Sequence, residues 1–279
     1  MTAMPCIDRL LATETRQQRI ANNFSRAATR YEDGAELQQA VADDLLARLP
    51  TLERLQTLID VGCGTGYLVS RLAERHDGLS IGLDIAPGML LEARRRHADQ
   101  PIQWITGCAE RLPLADNRAD LIVSSLAVQW CDSLGGFLAE AARVLCSDGW
   151  LAFTTLCEGT LEELQRARQQ IDGVREANTF VSETDLVELL DGPEWRLHEL
   201  TFVTRKTHQA SPIEVLRSLK RIGAQTLMNP IQSRRGLAGR RRLDALTQAL
   251  ETWREPAGIP TRYRVATVIM QRTEMSASS

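Results

Sequence analysis

Between Thr57 and Leu156, short apolar runs alternate with amphipathic stretches, and few architectures accept that order. "TLIDVG", "SIGLD", "IQWIT", "ADLIVSSLAV" and "WLAFTTL" have strand length and little charge. Three helical patterns separate them. "YLVSRLAERH" puts Leu68, Val69 and Leu72 on one face, "PGMLLEARRRHA" carries Pro87 in its first turn, and "LGGFLAEAARVL" ends near "SDG". Apolar strands that alternate with helices predict a parallel sheet covered on both faces. Ligands of such sheets sit beyond the carboxyl ends of the strands, where the strand order reverses.

The flanking segments break this rhythm. Residues 1–50 read as two helices, the second being "GAELQQAVADDLLARLP". Residues 160–192 read as helix, loop, helix. Residues 211–253 read as a helical insert between the strand-like stretches "EWRLHELTFVTRK" and "TRYRVATVIMQR". The expected organisation is a helical cap over 1–50, a core over 51–206, a lid insert over 207–258, and a last strand with the disordered tail "EMSASS" over 259–279. No apolar run approaches the roughly 20 residues of a membrane helix, and the first residues lack the apolar core of a secretory signal. A cytoplasmic protein is expected. The six cysteines (Cys6, Cys63, Cys108, Cys131, Cys146, Cys157) form no CxxC pair, and the reading is free thiols with no metal site.

The turn after the first strand, "LIDVGCGTGYL", narrows the ligand. A dinucleotide fingerprint is G-x-G-x-x-G, with a pyrophosphate at the helix N-terminus. Here Gly62, Gly64 and Gly66 give G-x-G-x-G, preceded by Asp60. A carboxylate beside the loop repels a pyrophosphate and suits an ammonium group. Asp84 closes "SIGLD", where a carboxylate can accept both ribose hydroxyls. A ligand with an amino-acid end, an adenosine end and no phosphate satisfies both acids, and that ligand is S-adenosylmethionine.

These residues resemble a family. "LIDVGCGTG", "GLDIAPGMLLEAR", "GCAERLPLADNRADLIVSSLAVQW" and "EAARVLCSDGWLAFTTL" are similar to the successive motifs of class I S-adenosylmethionine-dependent methyltransferases. More narrowly, "NNFSRAATRYE", "SSLAVQW", "WLAFTTL" and "LRSLKRIGA" resemble the malonyl-carrier-protein O-methyltransferases of biotin synthesis, the BioC family, over Ile20 to Gln271. The resemblance implies a Rossmann-like, mostly parallel seven-stranded sheet with helices on both faces. It also implies a cofactor site at Asp60, Gly62, Cys63, Gly64, Gly66, Asp84, Ile85, Met89, Cys108, Ala109, Glu110 and Ser125. One departure stands out. The family commonly has an acid after the third strand that contacts the adenine amino group, and here that position is Cys108. Backbone groups near Ala109, or Glu110 from a shifted loop, are then expected to read the base edge.

The acceptor has to be argued separately. The N/D-P-P-Y/F motif that holds a flipped base amine is absent after the fourth strand, where "SSLAVQW" stands. Cys131 lacks the neighbouring proline of a cytosine-C5 nucleophile and reads as a packed thiol. From Val215 to Leu243 there is no acid, while Arg217, Lys220, Arg221, Arg234, Arg235, Arg240, Arg241 and Arg242 are basic, in a chain of net charge −3. That patch predicts an acidic partner. The resemblance makes it an acyl carrier protein bearing a malonyl thioester, with malonyl-coenzyme A as the small-molecule alternative; nucleic acid is the weaker reading. A malonyl carboxylate is already ionised, so it needs alignment and desolvation but no general base. Tyr31 and Gln129 are the candidate neutral donors. Arg217 or Lys220, three positions apart on one helical face, is the candidate cation, unless both bind the carrier. Trp130 is expected to wall the acceptor pocket. His76, His97, His198 and His208 show no partner in the sequence and receive no catalytic role. Two other readings remain: another carboxylate O-methyltransferase, or an S-adenosylmethionine-binding RNA-interacting protein without turnover.

Overall fold

The computed structural model describes residues 14–51, 55–173, 180–222 and 237–273. Seven strands form one sheet: β1 (Thr57–Val61), β2 (Leu79–Asp84), β3 (Ile102–Thr106), β4 (Ala119–Ser125), β5 (Leu145–Leu156), β6 (Trp195–Gln209) and β7 (Ile259–Arg272). Their order is β3-β2-β1-β4-β5-β7-β6, and only β7 runs antiparallel to its neighbours. The predicted mostly parallel, seven-stranded sheet is therefore present. Strand order reverses between β1 and β4, so the crevice falls beside the glycine turn.

Alternation along each strand sorts two cores. On one face Ile59, Ile122, Leu151 and Phe153 pack with α5 (Leu134–Val144) and α7 (Glu183–Leu190) through Phe137, Ala141, Leu186 and Leu190. On the other, Leu58, Leu121, Val123 and Ala152 pack with α2 (Glu36–Arg48), α3 (Tyr67–Ala73) and α4 (Pro87–Arg96) through Leu45, Leu68, Leu72 and Leu90. Strands buried from both sides need apolar residues at every position, which is why the sequence shows runs instead of polar alternation.

A third core lies past the carboxyl end of β5. Here α6 (Glu162–Asp172), α8 (Pro212–Arg221) and α9 (Leu237–Glu251) bury Leu164, Ala167, Leu219, Leu246 and Leu250 against Leu156, Tyr263 and Val265. The helical insert thus roofs the strand ends. At the N-terminal side α1 (Arg16–Ala27) starts with a capping box, in which the Thr15 side chain accepts from Gln18 N and Gln18 reaches back to Thr15 N. It lies on the start of α4, where Gly88 N donates to Ser25 Oγ at 3.1 Å. A Cβ on Gly88 would sit 2.7 Å from the Ser25 backbone, so glycine permits this approach. The histidines do have partners. His76 meets Ser80, His208 meets Glu255, His198 stacks on Trp150, and His97 stacks on Trp104 while bonding Thr65 O.

Candidate active site

The glycine turn is fixed from three sides. Gly62 N and Cys63 N donate to Leu83 O at 2.7 and 3.0 Å, tying the end of β1 to β2. Gly64 N donates to Asp84 Oδ2 at 2.9 Å, and Ala86 N donates to Asp84 Oδ1 at 2.7 Å. Val69 N, in the first turn of α3, donates to Asp60 Oδ2 at 3.1 Å. Gly66 has φ +89°, and a Cβ there would lie 2.6 Å from the Trp104 ring, so no other residue fits without rearrangement.

Three adjoining recesses open at these strand ends. The largest, about 790 Å³, is lined by Gly62, Gly64, Asp84, Ile85, Met89, Cys108, Ala109, Glu110 and Ser125, and is roofed by Gln17, Ile20 and Phe24 of α1. The second lies under the glycine turn and collects Glu32, Asp60, Cys63, Gly64 and Thr65. The third is mostly apolar, walled by Phe24, Leu126, Trp130, Leu156, Leu219 and Ile222, with Tyr31, Gln38, Gln129 and Tyr263 as its polar members. Tyr31 borders all three. Of the predicted cofactor residues, Gly66 alone lines none of the three and acts through backbone shape.

Electrostatics match the shape. Burial pushes the Asp60 carboxyl up to about 8, opposed by the Val69 hydrogen bond and reinforced by Asp84. Asp84 is raised to about 6 by burial, against the main-chain donors that hold it. Two buried carboxyls that resist ionisation are sites waiting for positive charge or for hydroxyl donors. Each Asp84 oxygen uses one lone pair on a main-chain N–H and keeps another for a ligand hydroxyl. Glu32 adds a third acid, linked to the Thr65 hydroxyl and to Gln39. Among the described residues no cationic side chain lines these recesses to balance the acids, so a cationic amino-acid end suits the recess beneath the glycine turn and a nucleoside suits the larger cleft.

The apolar recess carries local strain. Leu126 has φ +48° and Leu161 φ +56°, an uncommon region for leucine, and Leu126 N is held by Thr154 O and Thr154 Oγ1. Burial raises the phenols of both Tyr31 and Tyr263, so each stays a neutral donor. Gln129 Nε2 donates to Leu126 O at 2.5 Å, leaving its second N–H as the only donor the amide can offer. Trp130 meets Phe24 edge to face at 5.5 Å, and both line this recess. Cys131 is pushed up to about 12, chiefly by burial, which makes it a poor nucleophile.

The expected cation is placed elsewhere. Arg217 pairs with Glu214 at 2.7 Å with its side chain 66% exposed, and Lys220 is also exposed. No arginine or lysine lines the three recesses. Arg240 and Arg241 are exposed on α9, whereas Arg234 and Arg235 fall outside the described residues. The sequence reading missed Gln17, Glu32, Gln38 and Tyr263. The capping box Thr15–Gln18 marks where α1 begins, but nothing local marks which of its residues reach the cleft.

Known proteins agree with this geometry. A family model described as a methyltransferase domain matches residues 59–153. YcgJ of Bacillus subtilis superposes with TM-score 0.56 at 16% identity, over 85% of this chain and 99% of that one. A geranyl diphosphate C-methyltransferase of Streptomyces coelicolor, solved with S-adenosyl-L-homocysteine, gives TM-score 0.53 at 15% identity, over 85% and 80%. At such identities these two speak for the fold. Closer in sequence is the biotin biosynthesis bifunctional protein BioHC of Cellvibrio japonicus, 39% identical over 93% of this chain. The chain spans about half of that protein, 51% of its length. The malonyl-[acyl-carrier protein] O-methyltransferase of Serratia marcescens is 38% identical over 92% of this chain and 96% of its own. That of Pectobacterium atrosepticum is 36% identical over 94% and 100%. With a glycine turn flanked by two buried acids at the strand reversal, and this similarity over nearly its whole length, the chain belongs to the malonyl-[acyl-carrier protein] O-methyltransferase family of class I S-adenosylmethionine-dependent methyltransferases.

Proposed function

We propose that the chain methylates the free carboxylate of a malonyl thioester carried by an acyl carrier protein, giving the methyl ester that lets the chain end be elongated as an ordinary acyl group. The observation that carries this reading is Tyr31, which borders the acid-lined recess, the nucleoside cleft and the apolar recess at once. A reacting centre belongs where those three meet.

In this reading Asp84 accepts the ribose hydroxyls, Asp60 and Glu32 face the ammonium end, and Ile85 and Met89 pack beside the adenosine. S-adenosylmethionine, when bound, supplies an electrophilic methyl on a sulfonium. The chain's own residues bind, aim and dry the acceptor. Phe24, Leu126, Trp130 and Leu219 exclude water from the carboxylate, while Tyr31, Tyr263 and the spare Gln129 N–H orient it without neutralising it. Neutral donors suit the reaction, because the carboxylate loses its charge on methylation. A tight ion pair would stabilise the ground state more than the transition state. Positioning of this kind can remove roughly 7–11 kcal/mol of barrier.

Arg217 and Lys220 then belong to the carrier. They are exposed on α8, as Arg240 and Arg241 are on α9, and both helices roof the strand ends. An acidic carrier protein docked there would deliver its prosthetic arm toward the recess. The test is methyl transfer from labelled S-adenosylmethionine to malonyl, succinyl and acetyl thioesters of carrier protein, coenzyme A and pantetheine. Methylated malonyl-carrier protein with inert acetyl-carrier protein is expected. Failure with every malonyl thioester would overturn the assignment.

A further inference from the structure

Glu110, which lines the nucleoside cleft beside Cys108, is engaged by three donors. Its Oε1 accepts Ser133 N at 2.7 Å, and its Oε2 accepts Asp132 N and Gln17 Nε2, each at 3.1 Å. The carboxylate clasps the loop after β3 to the start of α5 and to α1. A group that accepts two main-chain N–H donors is an acceptor only. The Gln17 amide must therefore turn its nitrogen toward Glu110, so hydrogen-bond chemistry settles which end of the amide is which.

That orientation leaves Oε1 as the free acceptor of the Gln17 amide, on a residue that lines the nucleoside cleft together with Cys108 and Ala109. We propose that Gln17 Oε1 accepts the exocyclic amino group of the cofactor's adenine, so that the base is read by α1 and not by the loop after β3. This rests on the cofactor placement above. The contact sits on a helix already fastened at the same end. Arg16 Nη1 donates to Trp130 O at 3.0 Å, to Cys131 O at 3.2 Å and to Asp132 Oδ1 at 2.6 Å. Glu110 and Arg16 thus bind the same loop segment from two sides and hold Gln17 between them. A thiol at position 108 is a weak acceptor, and the amide oxygen takes over a task that an aspartate would perform.

Calorimetric titration with S-adenosylhomocysteine and S-inosylhomocysteine tests this. The inosine analogue presents a carbonyl where adenine presents an amine, and it would set oxygen against Gln17 Oε1. The wild-type protein is expected to favour the adenosine ligand at least tenfold. Gln17→Leu should weaken S-adenosylhomocysteine by about three- to tenfold, the loss of one neutral hydrogen bond, and should shrink the preference to about twofold. Gln17→Met serves as a second variant of closer shape. Cys108→Asp in the Gln17→Leu background should restore the preference, because it returns an acceptor to the loop. If both Gln17 variants weaken the two ligands equally and keep the preference, Gln17 only braces Glu110 and the proposal fails. A wild-type protein that binds neither ligand would sink the cofactor placement itself, a different result from lost discrimination.

Discussion

Asp60→Asn separates a ligand-binding carboxylate from a structural cap. In the empty protein Asp60 ionises only near pH 8, because burial outweighs the Val69 N–H that holds it. A ligand ammonium needs the ionised form, so binding must expel the proton. That costs about 1.4 kcal/mol at pH 7 and about 2.7 kcal/mol at pH 6, at 1.36 kcal/mol per pH unit. A hydrogen bond between charged groups returns about 1.5–3 kcal/mol. Near pH 6 the two nearly cancel, and wild type and Asp60→Asn should bind S-adenosylhomocysteine alike. At pH 8.5 wild type should bind roughly ten- to a hundredfold tighter. Calorimetry in buffers of different ionisation enthalpy would also register a proton released by wild type below pH 8 and none by the variant from this site. The linked stability has a definite sign. The folded carboxyl binds its proton more tightly than the usual 3.8, so its stabilisation of the empty protein is complete below that value and disappears as pH rises through about 8. Asn keeps an oxygen for Val69 N and does not titrate, so the variant should gain on wild type in thermal stability across that window. A wild-type to variant affinity ratio that stays constant from pH 6 to 8.5 would refute the reasoning and leave Asp60 a cap for α3.

Asp84→Ala removes the acceptor of Gly64 N and Ala86 N along with the ribose partner, and S-adenosylhomocysteine affinity should fall by about 1.5–3 kcal/mol; unchanged calorimetric affinity would dismiss the ribose role. Gly66→Ala forces a Cβ against Trp104 at a φ of +89°, and should cost about 1–3 kcal/mol of stability in thermal denaturation. With no base to deprotonate, kcat should stay level well below pH 7 while the Michaelis constant for the cofactor rises; a kcat that follows one ionisation near pH 7 would point to a side-chain base. Arg240→Glu with Arg241→Glu should raise the Michaelis constant for malonyl-carrier protein far more than for malonyl-pantetheine, an effect that salt erases. Equal constants at low salt would make the patch a solvated face.

The parallel sheet was legible because both faces of its strands are buried, which leaves uninterrupted apolar runs. The cofactor loop was legible because backbone shape restricts Gly62, Gly64 and Gly66 by residue type, and because Asp60 and Asp84 stand at strand ends. What escaped was anything assembled across the chain. Gln17 reaches Glu110, Glu32 reaches Thr65, and Tyr263 arrives in the apolar recess from the last strand. No local pattern ties such pairs. The cations are a different case. Val215, Leu219 and Ile222 fall at helical spacing; the first two are buried, and Leu219 and Ile222 line the recess. The same periodicity that put Arg217 and Lys220 together also placed them away from that stripe. The histidines looked solitary because stacking on Trp104 or Trp150 leaves no signature in a linear sequence.

Phe24 belongs at once to the roof of the nucleoside cleft and to the wall of the apolar recess. If the cofactor enters by lifting α1, the acceptor recess lacks a side until the helix returns, because both share Phe24. Turnover would then have a compulsory sequence, with S-adenosylmethionine first on and S-adenosylhomocysteine last off. Steady-state inhibition should in that case be competitive for S-adenosylhomocysteine against S-adenosylmethionine and mixed against the malonyl thioester, and the rate of helix lifting would set a ceiling on kcat however fast the methyl moves.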